Sequence, residues 1–378
     1  MGLIAGPAPF YYFGPHEITR KKVFYMDSQN REKLDFEKRI DAGLVGYLKS
    51  CDNTLDSGSS LEELFKKNVN NQSLGESKNF VPDENILIED KTIQGFDDLT
   101  VKVRIYRPIN GSHESPLPVL LFIHGGGFYC GNVNEYDEVC QNFLLKCQCV
   151  VVSVDYRLAL QHPYPAGLDD CYAALLWLAS TGVKELAIDS ARIAVGGIGA
   201  GGGLAAGVVL RARDASGPTI SYQMLIIPSL DDRHETPSSI SIKDLRVWNR
   251  ELSIKAWSAY LDNIEGETPV YAAPSRARDL RKLPSTFISV EEQDLQRDEV
   301  VLYAHRLMQA GVRTEFHVYP GAFHASFVVV PEADISKQQV ADMLFALKRS
   351  FHCNEKGKVE GDRTGNHTEI NDPEETSE

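Results

Sequence analysis

Three stretches of the chain carry residue types suited to chemistry at a carbonyl group. The first, His124-Gly125-Gly126-Gly127-Phe128, follows the apolar run Val119 to Ile123. Glycines where a strand ends let backbone N–H groups converge on a developing oxyanion, because no Cβ blocks the approach. The second, Val195-Gly196-Gly197-Ile198-Gly199-Ala200-Gly201-Gly202-Gly203, has the shape of a nucleophile elbow. Such a strand-to-helix turn presents one side chain to the site and aims the following N–H at an oxyanion. Gly199 stands where the nucleophile belongs, and Ala200 would supply that N–H. In the third, Asp294 follows the strand pattern Thr286 to Val290, and His324 follows Thr314 to Tyr319. Acid before histidine is the order of a carboxylate that orients a general base.

Each stretch also has a plainer reading. The first is a tight turn, Asp294 a helix cap and His324 a surface-loop histidine. Cys130, three residues past Gly127, is the substitute nucleophile nearest the glycine loop. Reactive cysteines need a local means of forming thiolate, so Cys130 reads as a small buried residue. His162 and His317 read as structural.

The elements that must position these residues alternate from about Leu99 onward. Strand patterns cover Leu99 to Tyr106, Pro118 to Ile123, Cys149 to Val154, Arg192 to Gly196, Tyr222 to Ile227, Thr286 to Val290 and Thr314 to Tyr319. Helical patterns cover Gly167 to Ser180, Ala200 to Arg213, Arg297 to Ala310 and Lys337 to Arg349. This alternation predicts an α/β fold, a mostly parallel sheet with helices on both faces. The expected organisation is an N-terminal lid or cap at 1–95, a core at 96–352 with a lid insertion at 231–284, and a disordered acidic tail at 353–378. Lid aromatics Trp248, Trp257 and Tyr260, with Tyr11, Tyr12 and Phe13, suit an apolar or aromatic ligand, and core packing explains them equally well.

The 378 residues carry a formal net charge of -14, which disfavours nucleic acid as a partner. Eight acidic and three basic residues lie from Asn354 onward. Hydrophobic residues make up 43%, and no apolar run is long enough for a membrane span. The opening residues lack the basic stretch of a signal peptide, and the seven cysteines show no metal spacing or disulfide density. A cytoplasmic protein with reduced thiols is expected, with no metal or organic cofactor. Its expected partner is a carbonyl-containing or apolar small molecule; a homodimer is left open.

In these residues the chain resembles the hormone-sensitive-lipase-like, His-Gly-Gly-Gly type of α/β-hydrolases and carboxylesterases. The likeness runs from about Asp83 to Phe351. Beyond the glycine loop it includes Asp155-Tyr156-Arg157-Leu158-Ala159, His162-Pro163-Tyr164-Pro165-Ala166, Leu295-Gln296-Arg297-Asp298-Glu299 and Tyr319-Pro320-Gly321-Ala322-Phe323-His324. The resemblance implies an α/β-hydrolase fold with a helical lid, oxyanion donors at Gly126, Gly127 and Ala200, the acid at Asp294 and the base at His324. It departs at the elbow. Where the family has Gly-Asp-Ser-Ala-Gly-Gly, this chain has Gly197-Ile198-Gly199-Ala200-Gly201-Gly202.

Without a serine, the usual acyl-enzyme route is closed. A base beside oxyanion donors suits proton removal next to a carbonyl, the step shared by cyclisation, elimination, aldol-type cleavage and isomerisation. The resemblance points the same way, since relatives of this fold in specialised metabolism have exchanged hydrolysis for such reactions. One alternative is a non-catalytic, receptor-like pseudoenzyme that closes a lid over a ligand. The other is an esterase that works without the elbow serine.

Overall fold

Strand β3 (Leu117–Ile123) shows why a sheet covered on both sides forms here. Side chains alternate along a strand, and Val119, Leu121 and Ile123 enter one buried cluster while Leu120 and Phe122 enter another. In β4 (Val150–Asp155), Val150, Val152 and Val154 join the first cluster and Val151 the second. Strands apolar on both faces must be covered on both.

The computed structural model describes residues 35–51, 80–109 and 115–352. Within them lie six further strands: β1 (Ile86–Gln94), β2 (Thr100–Pro108), β5 (Ile188–Ile198), β6 (Tyr222–Ile226), β7 (Ser285–Gln293) and β8 (Thr314–Phe323). All eight form one sheet in the order β1-β2-β4-β3-β5-β6-β7-β8. Strands β3 to β8 pair in parallel; β2 runs antiparallel to both β1 and β4. Helices Ala166–Leu178, Ala200–Asp214 and Arg297–Gln309 cover one face, and Asp137–Cys147 with Asp334–His352 the other.

Strand β1 lies inside the range expected to be lid. Its sequence Ile-Leu-Ile-Glu-Asp-Lys-Thr-Ile-Gln buries only Ile86 and Ile93, so it lacks the apolar run that marks the central strands. Ile86 and Ile93 point to opposite faces and join the two separate clusters, and as an edge strand β1 is held by its nine-residue register with β2.

Ahead of it, Phe36, Ile40, Leu44 and Leu48 recur every four residues and form one buried stripe. The stripe packs on Tyr319, Ala322 and Phe323 of β8 and on Ile242 and Val247 of the insertion. Arg246 ties these parts together, paired with Asp244 at 2.7 Å and Glu37 at 2.6 Å.

The 231–284 insertion contributes helices Pro237–Ser241 and Arg250–Tyr260. Among the described residues, no helix is long and apolar enough to cross a membrane. Tyr11, Tyr12, Phe13 and the acidic tail at 353–378 lie outside the described residues.

Candidate active site

Each sequence-derived candidate occurs where a strand ends. His124 follows the last residue of β3, Gly199 that of β5, Asp294 that of β7 and His324 that of β8. These four strands run parallel, so their carboxyl ends lie along one edge of the sheet, where open α/β sheets bind ligands.

His324 Nδ1 lies 2.7 Å from Asp294 Oδ2. Asp294 is wholly buried, and its other oxygen accepts the Gln296 N–H at 2.9 Å. A carboxylate only accepts, so Nδ1 carries the proton and the Nε2 lone pair is left facing outward from the pair. That lone pair looks toward Gly199: a Cβ built there would stand 3.9 Å from His324 Nε2. Gly199 adopts φ 57 and ψ -120, a backbone conformation that is strained for any residue with a Cβ.

The orientation of the candidate donors follows from their neighbours' carbonyls, because a trans peptide sends N–H and C=O to opposite sides. The Gly125 carbonyl faces His124 Nδ1 at 2.7 Å, which turns the Gly126 N–H the other way. The Gly126 carbonyl accepts from Cys130 N at 2.9 Å and Tyr129 N at 3.2 Å, turning the Gly127 N–H out of that tight turn. The Gly199 carbonyl accepts from Gly203 N at 3.1 Å and Ser229 N at 3.0 Å. The Ala200 N–H therefore points out of the N-terminus of helix Ala200–Asp214, where the helix dipole also favours negative charge.

Gly201 brings the two glycine-rich loops together. A Cβ there would lie 2.1 Å from the Ile123 carbonyl oxygen and 2.3 Å from that of His124, so only glycine lets the helix press on the end of β3.

The other sequence candidates fall away from this arrangement. Cys130 donates its thiol to the Gly126 carbonyl at 3.1 Å, and burial pushes the thiol up to about 12, which leaves no useful thiolate at neutral pH. His317 pairs with Glu315 at 3.0 Å, and His162 is exposed in a turn.

Of the insertion aromatics, Trp257 and Tyr260 pack on Phe128 at 5.0 and 4.1 Å and anchor the insertion to the core. Trp248 differs. Its ring lies 6.0 Å from that of His324, and a Cβ on Gly127 would meet its six-membered ring at 2.9 Å. Trp248 therefore covers both the His324 imidazole and the glycine loop.

Two buried carboxyls at this end of the sheet receive no role from the motifs. Glu299 accepts the Leu230 N–H at 2.9 Å, and Glu291 sits on β7 three residues before Asp294. A signal for Glu291 exists in the sequence: Ser289, Glu291 and Gln293 place polar residues at every second position of a central strand.

Residues 120–328 match the alpha/beta hydrolase fold family, and the chain belongs to it. A carboxylesterase of Mycobacterium tuberculosis is 38% identical over 274 residues, which cover 70% of this chain and 83% of that protein. A bacterial heroin esterase superposes with a TM-score of 0.74 at 38% identity, covering 83% of this chain and 99% of the esterase. A gibberellin receptor of Arabidopsis thaliana is 33% identical over 234 residues, 55% of this chain and 66% of the receptor.

Proposed function

We propose that this protein is a non-hydrolytic enzyme acting on an apolar carbonyl metabolite. His324 removes a proton next to the carbonyl, Asp294 orients the imidazole, and the N–H groups of Gly126, Gly127 and Ala200 hold the enolate oxygen. The observation that carries this reading is the pairing of His324 with Asp294 at 2.7 Å, facing a turn whose central residue is glycine. A base with oxyanion donors and no nucleophile can move protons but cannot form an acyl-enzyme. Trp248 beside the imidazole and the glycine loop suits an apolar or aromatic substituent.

The test is proton exchange. In deuterated water, the purified protein should exchange the α-hydrogens of phenylacetone or methyl phenylacetate faster than buffer does, as read by NMR, and His324→Ala should remove the excess. Cleavage of p-nitrophenyl butyrate at serine-esterase rates would sink the proposal.

A second reading draws on the carboxylesterase relatives: His324 activates a water molecule that attacks an ester directly. This predicts slow ester hydrolysis with no accumulating acyl-enzyme and no α-exchange. Similarity to the gibberellin receptor supports a third reading, ligand binding without turnover. The buried Asp294–His324 pair weighs against it, since a pure binding site has no use for an oriented base.

A further inference from the structure

Glu291 lies beside the Asp294–His324 pair without entering the proposed chemistry. It sits in β7 opposite Tyr319 of β8, and its side chain is fully buried. One carboxyl oxygen, Oε1, accepts from Gln339 Nε2 of helix Asp334–His352 at 3.1 Å. The N–H of Ala325, the residue after His324, also lies against this carboxyl. The other oxygen, Oε2, has no hydrogen-bond partner among the described residues, and neither has Gln339 Oε1.

The groups facing Glu291 from its neighbours are Asp294 beyond β7, Tyr319 of β8 and Gln339 of the helix, with Asp342 behind the Tyr319 hydroxyl. None of these is a cation. Two buried carboxyls that feel each other's charge resist ionising together. Asp294 has the imidazole, which can carry a balancing positive charge, whereas the donors to Glu291, the Gln339 amide and backbone N–H groups, are all neutral. Burial and the Asp294 charge together hold the Glu291 carboxyl well above the usual carboxylate range.

We propose that Glu291 is a positioning residue that stays protonated, anchors the turn carrying His324, and leaves Asp294 as the single negative charge behind the imidazole. A second charge there would raise the affinity of the imidazole for a proton and so alter its strength as a base. The device operates whichever reaction the site runs.

The experiment follows the His324 ring by NMR in full-length protein labelled with 15N-histidine, for the wild type, Glu291→Gln and Glu291→Leu. A neutral Glu291 predicts that Glu291→Gln moves the titration midpoint of His324 by less than about half a unit. An ionised Glu291 would lose a charge in that variant, and the midpoint would fall by about one unit or more, which overturns the proposal. The downfield Nδ1 proton of His324 should persist in Glu291→Gln and broaden or vanish in Glu291→Leu; its persistence in Leu would overturn the anchoring role. Should Glu291→Leu not fold, infrared spectroscopy of the wild type decides. A protonated-carboxyl C=O stretch at neutral pH that disappears in Glu291→Gln supports the proposal, and its absence from the wild type overturns it.

Discussion

Among the described residues, a Cβ on Gly199 would meet a single atom within 4 Å beyond its adjoining residues, and that atom is His324 Nε2 at 3.9 Å. A hydroxyl one bond further out would come within hydrogen-bond reach of the imidazole. The His324 imidazole thus faces the turn position that glycine occupies.

Gly199→Ser should therefore create a serine esterase. Hydrolysis of p-nitrophenyl butyrate is expected to rise at least about a hundredfold over the parent, because the nucleophile is worth far more than this in intact triads. The same change should lower stability by about 1–3 kcal/mol, the usual cost of placing a Cβ in a strained conformation. Urea titration and ester assays on one preparation check both; no gain in rate would mean that donors and base are not aligned.

On that background, Asp294→Asn should reduce kcat by roughly a thousandfold or more while leaving KM within about threefold. An amide cannot hold the imidazole in the tautomer that leaves Nε2 free to accept. Steady-state kinetics would show it, and a pure KM effect would contradict the orienting role.

His124 gives a pH-dependent signature. It is wholly buried, stacked on Tyr156 at 4.3 Å, and burial pushes its pKa down to about 4. The folded value lies below the unfolded value of about 6.5, so the unfolded chain takes up the proton first. The neutral ring's contribution to stability is complete above about pH 6.5 and is lost as pH falls toward 4, amounting to about 3 kcal/mol over that window. His124→Asn should flatten the dependence of unfolding free energy on pH between these limits, measured by urea titration at half-unit steps. An unchanged slope would assign the acid sensitivity to other groups.

Gly201→Ala should destabilise the protein by about 3 kcal/mol or more, since its Cβ would lie 2.1 Å from the Ile123 carbonyl oxygen and both partners are backbone. Gly266→Ala offers the contrast: nothing among the described residues lies within 4 Å of its Cβ, so the cost is limited to its positive φ. Thermal unfolding of the two variants should rank them in that order, and an equal loss would show that the close approach at Gly201 does not matter.

Much of the site was legible because it depends on local pattern. Polar chemistry at the ends of apolar strands marked His124, Gly199, Asp294 and His324, and every strand from β2 to β8 was expected, with ends shifted by a few residues. Strand β1 was not, since its sparse burial and charged centre lack a central strand's signature. Helix Asp137–Cys147 was also missed: its buried residues Cys140, Phe143, Leu144 and Cys147 form a helical stripe, but the sequence between them is polar.

The sequence by itself determined which chemistry is present: an acid, a histidine and glycine-rich turns, with no hydroxyl at the elbow. Residue type fixes which groups can donate, accept or attack, and that information is local. The tertiary structure alone decided what those groups face. Asp294 and His324 meet because β7 and β8 pair in parallel and end together. Trp248, rather than Trp257 or Tyr260, covers the site because the other two are held by Phe128. Glu291 is sealed in by a helix whose Gln339 lies 48 residues further along the chain. Burial and distance depend on contacts between segments remote in sequence, and no single stretch of residues encodes them.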